Sequence, residues 1–107
     1  MIIVSKYIVP KGYVDITLFP FIFLKSQKFK NDSVLLNHER IHLKQQLELF
    51  IVFFYIFYGI EWFIKFIKYR NIYSAYKNIS FEREAYTHEK DMDYLKKRSF
   101  WMFISYL

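Results

Sequence analysis

Hydrophobic positions divide the chain into a short β-rich beginning and a long helical remainder. Residues 1–24 are rich in Ile, Val, Tyr, Phe and Thr, and Pro10, Gly12 and Pro20 interrupt them. This pattern predicts one or two short strands with a turn near Gly12. Because Pro20 cannot donate to a strand ladder, a strand that contains it should lie at a sheet edge. A polar connector at 25–32 then leads into the helices.

The rest of the chain has apolar residues at helical spacing. Asp32 or Ser33 is a candidate N-cap for the first helix, which continues into the apolar run Leu49–Ile60, and a bend or stop is expected at Gly59. Ser80 is the candidate N-cap after the next break. Three helical regions are predicted, at 33–60, 61–76 and 80–107. The pattern therefore predicts one domain over residues 1–107, mostly α with a short N-terminal β segment (α+β).

The apolar run is too short for a simple membrane span. Twelve helical residues between Glu48 and Glu61 reach about 18 Å, whereas a hydrocarbon core is about 30 Å thick. The run therefore favours a helix buried in the protein or lying against a membrane surface, where Trp62 and the lysines after it would suit the headgroups. The N-terminus lacks the pattern of a cleaved signal peptide. We expect a location in the cytoplasm or at the cytoplasmic face of a membrane.

Composition and charge narrow the function classes. The chain has no Cys, which excludes disulfides, thiolate zinc sites and a cysteine nucleophile. Its net charge is +6, but the basic residues are spread out and form no known nucleic-acid module, so no nucleic-acid partner is expected. The simplest interpretation is that Lys and Arg keep an apolar protein soluble.

The residues with the clearest chemistry are His38-Glu39-Arg40-Ile41-His42, an H-E-x-x-H motif. Residues four apart lie on the same face of a helix, so His38 and His42 can offer two imidazoles to one Zn²⁺. Glu39 lies one position along and can reach a water on that metal, as in zinc hydrolases. The competing interpretation is a partly buried helix with two surface histidines.

A catalytic zinc usually has a third protein ligand. The third histidine, His88, is not at the spacing of the three-histidine class, so a carboxylate from a later helix is the remaining option. Glu82 and Glu84 both lie in the first turn of a predicted helix. The alternative role for both is a favourable interaction with the helix dipole.

The motif, followed by Gln45 and Gln46 and about forty residues later by Glu-x-Glu-Ala, resembles small gluzincin-type zinc metallopeptidase domains. The layout is similar to that of membrane-bound zinc proteases that process prenylated proteins or act in heat shock, over roughly residues 33–95. The resemblance implies a minimal zincin-like fold in which the H-E-x-x-H helix packs against a later Glu-bearing helix.

In that family the metal-binding glutamate precedes a small residue by three positions and an aspartate by four. Glu82 fits the first condition through Ala85, whereas Tyr86 stands where the aspartate is expected. This favours Glu82 over Glu84 as the third ligand. Because the aspartate is absent, the group that orients the histidines stays open among Glu84, Glu89 and a backbone carbonyl.

The expected function is a zinc-dependent peptidase that acts on a peptide or protein substrate. His38, His42 and Glu82 would hold the metal, and Glu39 would be the general base. Tyr86 is the candidate donor to the oxyanion, with His88 and Tyr94 as alternatives. A strand near 16–22 could pair with an extended peptide. The alternative function is a non-catalytic zinc-binding or membrane- or partner-docking module, and the sequence assigns no oligomeric state.

Overall fold

The N-terminal segment forms a three-stranded sheet in the computed structural model, which describes residues 2–107. The strands are β1 (Ile2–Val4), β2 (Asp15–Leu18) and β3 (Phe21–Leu24), in the order β1-β3-β2. β1 pairs with β3 in parallel, and β2 pairs with β3 as an antiparallel hairpin. Pro20 lies in the hairpin turn rather than within a strand, and β2 is an edge strand.

Five helices and two short 3-10 helices follow the sheet. The helices are α1 (Ser33–Glu48), α2 (Val52–Tyr69), α3 (Ile72–Lys77), α4 (Ser80–His88) and α5 (Tyr94–Lys97), and the 3-10 helices span Gln27–Asn31 and Met102–Tyr106. Asp32 is the N-cap of α1, since its side chain accepts the backbone N–H of Leu35 at 3.0 Å. The predicted class, mostly α with a short N-terminal β segment, is confirmed.

The first long helix ends eleven residues before the predicted break. α1 stops at Glu48, and the chain turns through Phe50 and Ile51, both with positive φ, before α2 begins. Gly59, where a bend or stop was expected, lies inside α2. The reason is tertiary: Trp101 Nε1 donates to the carbonyl of Glu48, which satisfies a group that a continuing helix would bond. The predicted second helix, 61–76, is likewise divided between α2 and α3.

Two apolar clusters hold α1 in place. One lies between α1 and the sheet and contains Ile22, Leu24 and Leu36. The other contains Ile41 of α1 with Ala85 of α4 and Tyr94. A third cluster joins α2, α4 and the C-terminal segment through a set of buried apolar side chains: Leu49, Phe54, Ile79, Phe81 and Phe103. Because α1 is packed between the sheet and α4, its inward face bears the side chains that could form a site.

No single helix within residues 2–107 is long and apolar enough to cross a membrane. α1 and α2 would together meet the length and composition required, but they are bent by 111° at the break between them.

Candidate metal centre

Three buried side chains converge where α1 packs against α4. His38 and His42 lie one turn apart on α1, and their Nε2 atoms are 3.1 Å apart. Glu82, in the first turn of α4, places Oε1 at 3.2 Å from His38 Nε2 and 3.0 Å from His42 Nε2. All three residues are buried, and together they could hold a metal ion.

The donor atoms have the separations that a small tetrahedral ion needs. An ion with bonds of about 2.0–2.1 Å places its ligand atoms about 3.3 Å apart, close to the three separations between the imidazole nitrogens and the Glu82 oxygen. The donor set of two nitrogens and one carboxylate oxygen also suits a divalent transition metal. The residues present therefore fit such an ion. His42 and Glu82 line an adjacent cleft of about 310 Å³, which gives the group contact with open space.

Gln45 sets the orientation of the His42 ring. Its Nε2 donates to the carbonyl of Phe81 at 3.1 Å and to Glu84 Oε1 at 2.9 Å, so its Oε1 must accept from His42 Nδ1, 2.8 Å away. A proton on Nδ1 leaves the lone pair of Nε2 free for a metal. Gln45 thus couples the His42 ring to α4, and it lies one helical turn after the histidine.

Glu89 plays the corresponding part for His38. Its Oε2 lies 3.0 Å from His38 Nδ1, and a carboxylate there can only accept. Glu89 follows the last turn of α4, where the buried amide of Asn37 donates to the backbone carbonyls of Glu89 and Asp91 at 2.8 and 2.9 Å. Asn37 therefore fixes the end of α4 against the residue that precedes the first histidine.

Glu82 is held from the side away from the histidines. The hydroxyl of Tyr58, on α2, donates to Glu82 Oε2 at 2.7 Å, which leaves Oε1 to face the imidazoles. Despite the opposing effect of burial, the two histidines keep the pKa of Glu82 far below its usual range. The pKa of His42 is raised to about 10, because the Glu82 carboxylate outweighs the cost of burial.

Glu39 is buried beside this group and faces β2. Its Oε2 accepts from the hydroxyl of Thr17, and burial together with the Asp15 carboxyl raises the pKa of Glu39 to about 8, although His42 opposes the shift. A second, larger cavity adjoins the first, and both are lined by Glu39, Asp15 and Tyr76. Glu39 therefore lies at the boundary between two halves of one cleft.

Among the tyrosines that line the cleft are Tyr86, which was a candidate from the sequence, and Tyr76, which was not. Tyr86 lies against His38, with ring centroids 4.5 Å apart, and lines the larger cavity. Its hydroxyl is 3.3 Å from that of Tyr76, which lines both cavities. Burial raises the pKa of Tyr86 to about 12, and burial with the Glu82 charge raises the pKa of Tyr76. Both hydroxyls therefore keep their protons at neutral pH and can donate.

The other sequence candidates lie elsewhere. Glu84 faces away from the histidines: its carboxylate accepts from Arg98 Nε, from Arg98 Nη2 at 3.0 Å and from Tyr94 at 2.6 Å. His88 stacks on Tyr94 with 3.8 Å between ring centroids and contacts the hydroxyl of Tyr106 at 2.6 Å. Neither His88 nor Tyr94 is brought to Glu39.

Sequence reasoning missed several residues of the site. The contact between Gln45 and His42 could have been predicted, since a residue three positions after His42 lies one turn further along the same helix. No local pattern predicts the roles of Tyr58, Thr17 and Asn37, because each contacts a residue far away in the chain. Glu89 was among the candidates for orienting a histidine, and it contacts His38.

No known protein family, curated protein or solved structure matches the chain. The functional assignment therefore depends on the geometry of the site itself.

Proposed function

We propose that the chain is a zinc-dependent peptidase of the gluzincin type. The observation that carries the proposal is the convergence of His38 Nε2, His42 Nε2 and Glu82 Oε1 within 3.2 Å of one another. The opposite atom of each side chain is engaged by Glu89, Gln45 or Tyr58, so all three donors are pre-oriented toward a common point. Zinc bound there would polarise a substrate carbonyl and lower the pKa of a bound water.

Glu39 is the group suited to move the proton. Burial and the Asp15 carboxyl raise its pKa to about 8, and the positive charge of a metal bound beside it would favour the ionised carboxylate, the form that can take a proton. In the proposed reaction Glu39 accepts the proton of the attacking water and returns it to the amine nitrogen of the leaving peptide. Thr17 is a positioning residue, since its hydroxyl bond restrains the Glu39 carboxyl at the cleft wall.

The cleft offers an edge where an extended peptide could bind. Val14 O accepts from Lys25 N, so the backbone groups of even-numbered residues in β2 face β3 and those of Asp15 and Thr17 face outward. The Thr17 carbonyl already accepts from Gln46 at 3.0 Å and from Tyr55 at 3.3 Å. Strand addition would therefore use the backbone of Asp15 and the Thr17 N–H, next to Glu39.

Two tyrosine hydroxyls of the cleft are candidates to donate to the oxyanion. Tyr86 was the candidate from the sequence, and Tyr76 joins it because it lines both cavities and contacts the Tyr86 hydroxyl. Removing a single oxyanion donor typically lowers kcat by about 10²–10³-fold. Comparing Tyr76→Phe with Tyr86→Phe identifies the donor, since only the hydroxyl that contacts the oxyanion should show this loss.

The test combines metal content with turnover. Zinc per chain is measured by elemental analysis, and cleavage of a mixture of unstructured peptides is followed by the appearance of new amino groups. We expect about one zinc per chain, cleavage that a chelator abolishes, and retention of zinc but loss of cleavage in Glu39→Gln. Arg40→Gln, on the exposed side of the same motif, is the matched control and should cleave normally.

Two results would contradict the proposal in different ways. A chain that binds no zinc rules out the metal centre. A chain that binds zinc through His38 and His42 but cleaves no peptide would support the alternative, a non-catalytic zinc site that joins α1 to α4. The placement of Glu39 at the cleft, rather than in a closed ligand shell, favours catalysis over that alternative.

A further inference from the structure

The outward face of α2 is apolar along its whole length. Eight large apolar side chains on this face are each 46–64% exposed, and we call them the apolar stripe: Val52, Phe53, Ile56, Phe57, Ile60, Phe63, Ile64 and Ile67. They recur at the three- and four-residue spacing of one helix face, and the opposite face packs inward through Phe54. α2 is therefore apolar on its outward face as well as on its inward face, unlike a usual surface helix, which has polar residues toward water.

The stripe is larger than a monomeric protein normally exposes. α2 is about 27 Å long, and eight half-exposed side chains of roughly 170 Å² leave on the order of 700 Å² of apolar surface. Typical largest patches on monomers are about 300–600 Å². At its N-terminal end the stripe adjoins Phe50, which is 79% exposed. The C-terminal segment borders the same end, because Phe103 packs with Phe54.

Charged residues of α2 lie off the stripe. Glu61 faces inward, where its carboxylate accepts the backbone N–H of Ser80 at 2.6 Å. Lys65 and Lys68 fall at helical positions behind the stripe and at its edge, and Arg70 follows the last turn. The helix thus presents an apolar face with Lys68 at its edge and Arg70 at its C-terminal end.

The distribution of acidic groups leaves the surface strongly basic. Four of the six glutamates are buried, and Glu61 and Glu89 bond to Ser80 and His38. Among the 16 Lys and Arg residues, Arg98 is enclosed with a side chain 1% exposed. The outer surface therefore carries more positive charge, relative to its acidic groups, than the net value of +6 indicates.

We propose that α2 docks the protein on an anionic membrane surface, with the helix lying in the plane of the membrane and the apolar stripe inserted among the lipids. A second copy of the chain is the competing occupant of an apolar face. Charge favours lipid, because two strongly basic chains repel each other, whereas anionic headgroups attract the basic groups at the edge and end of the stripe. Docking requires neither a bound metal nor peptide cleavage.

Vesicle flotation tests this docking. The full chain is floated with vesicles of phosphatidylcholine alone or with about 30% phosphatidylglycerol, a composition that supplies the anionic surface potential. We expect binding to the anionic vesicles that weakens with salt, and less binding to the neutral ones. The variant Ile56→Gln/Ile60→Gln/Phe63→Gln should bind about tenfold more weakly or worse, since it removes apolar surface from the middle of the stripe.

The controls separate docking from folding. Gln has a helix propensity at least as good as those of Ile and Phe, so the stripe variant should keep its helical circular dichroism and its zinc content. Tyr7→Gln/Ile8→Gln removes two exposed apolar side chains outside α2 and should bind like the wild type. Lys65→Gln/Lys68→Gln leaves the stripe intact and should lose part of the preference for anionic vesicles.

Three outcomes overturn the proposal. The wild type could fail to float with either vesicle, the stripe variant could float as well as the wild type, or the wild type could form a dimer without lipid that the stripe variant abolishes. If the stripe variant does not fold, the lysine variant decides. The docking proposal is overturned if Lys65→Gln/Lys68→Gln prefers anionic over neutral vesicles as strongly as the wild type does. A negative result with zinc still bound leaves the peptidase proposal standing.

Discussion

Replacing Glu82 and Glu84 separately by Gln tests which of two buried carboxylates belongs to the metal centre. The two residues lie two positions apart on α4 and are both buried, with 4% and 0% of their surface exposed. Each substitution keeps the shape of the side chain and removes one negative charge. The pair is therefore matched in helix, burial and chemistry, and differs in what the carboxylate contacts.

For Glu82→Gln we expect a large loss of metal affinity with the fold retained. The substitution neutralises the oxygen that lies within 3.2 Å of both imidazoles. Residues that only orient a ligand are worth about 10–100-fold in metal affinity, so loss of the anionic ligand itself should cost more than about 100-fold. The dissociation constant is measured by competition with a chelator of known affinity.

For Glu84→Gln we expect normal metal content and a less stable fold. Gln45 keeps its bond to the Phe81 carbonyl and can still donate to the amide oxygen at position 84, so the His42 ring stays oriented. The carboxylate accepts two bonds from Arg98, and each loses about 1 kcal/mol when the charge is removed, with further weakening of the bond from Tyr94. Arg98 stays paired with Glu48 at 2.7 Å, which limits the loss to about 2–3 kcal/mol. For a domain of this size that lowers Tm by roughly 10–20 °C.

The two variants should therefore show opposite results in two measurements. Elemental analysis after dialysis against buffered zinc reports the metal, and differential scanning calorimetry in the presence of chelator reports the fold. The reasoning is refuted if Glu84→Gln loses zinc while folded, or if Glu82→Gln binds zinc as tightly as the wild type.

Two further predictions follow from the contacts of the same residues. Tyr58→Phe removes the hydroxyl that donates to Glu82 Oε2, so the affinity for zinc should fall about tenfold. An unchanged dissociation constant for zinc would show that this hydrogen bond does not orient Glu82. Burial opposes ionisation of Glu84, but its bonds to Arg98, Tyr94 and Gln45 lower its pKa below the ordinary value of 4.5. The ionised carboxylate therefore contributes its full stabilisation above about pH 4.5, and this contribution is lost as the pH falls through the pKa of Glu84 in the folded protein. The difference in Tm between the wild type and Glu84→Gln should be constant from about pH 7 to 5.5 and shrink below about pH 4; a constant difference at pH 3 would contradict the assignment.

The sequence predicts the fold class, mostly α with a short N-terminal β segment, because that class follows from the local periodicity of apolar residues. The β-rich start, the turn at Gly12 and the helix that bears the histidines all follow from patterns a few residues long. The end of α1 could not be read in this way. Gly59 has the lower helix propensity, but the helix ends at Glu48, whose carbonyl is bonded by Trp101 from the far end of the chain.

The candidate site likewise combines a feature that local spacing predicts with one that depends on tertiary packing. The spacing of His38 and His42 determined by itself that two imidazoles share a helix face, since a helix brings residues four apart together wherever it lies. The third ligand was a choice between Glu82 and Glu84, which point to different sides of α4 because two residues correspond to about 200° of helix rotation.

Only the tertiary structure decided that choice. The buried Arg98 pairs with Glu84 and also with Glu48 at the end of α1, whereas Glu82 lies within 3.2 Å of the histidines. The rotation of one helix against another depends on side chains far apart in the chain, and no local pattern records it. Helical spacing therefore determined the histidine pair, and packing between helices determined which glutamate could complete the set.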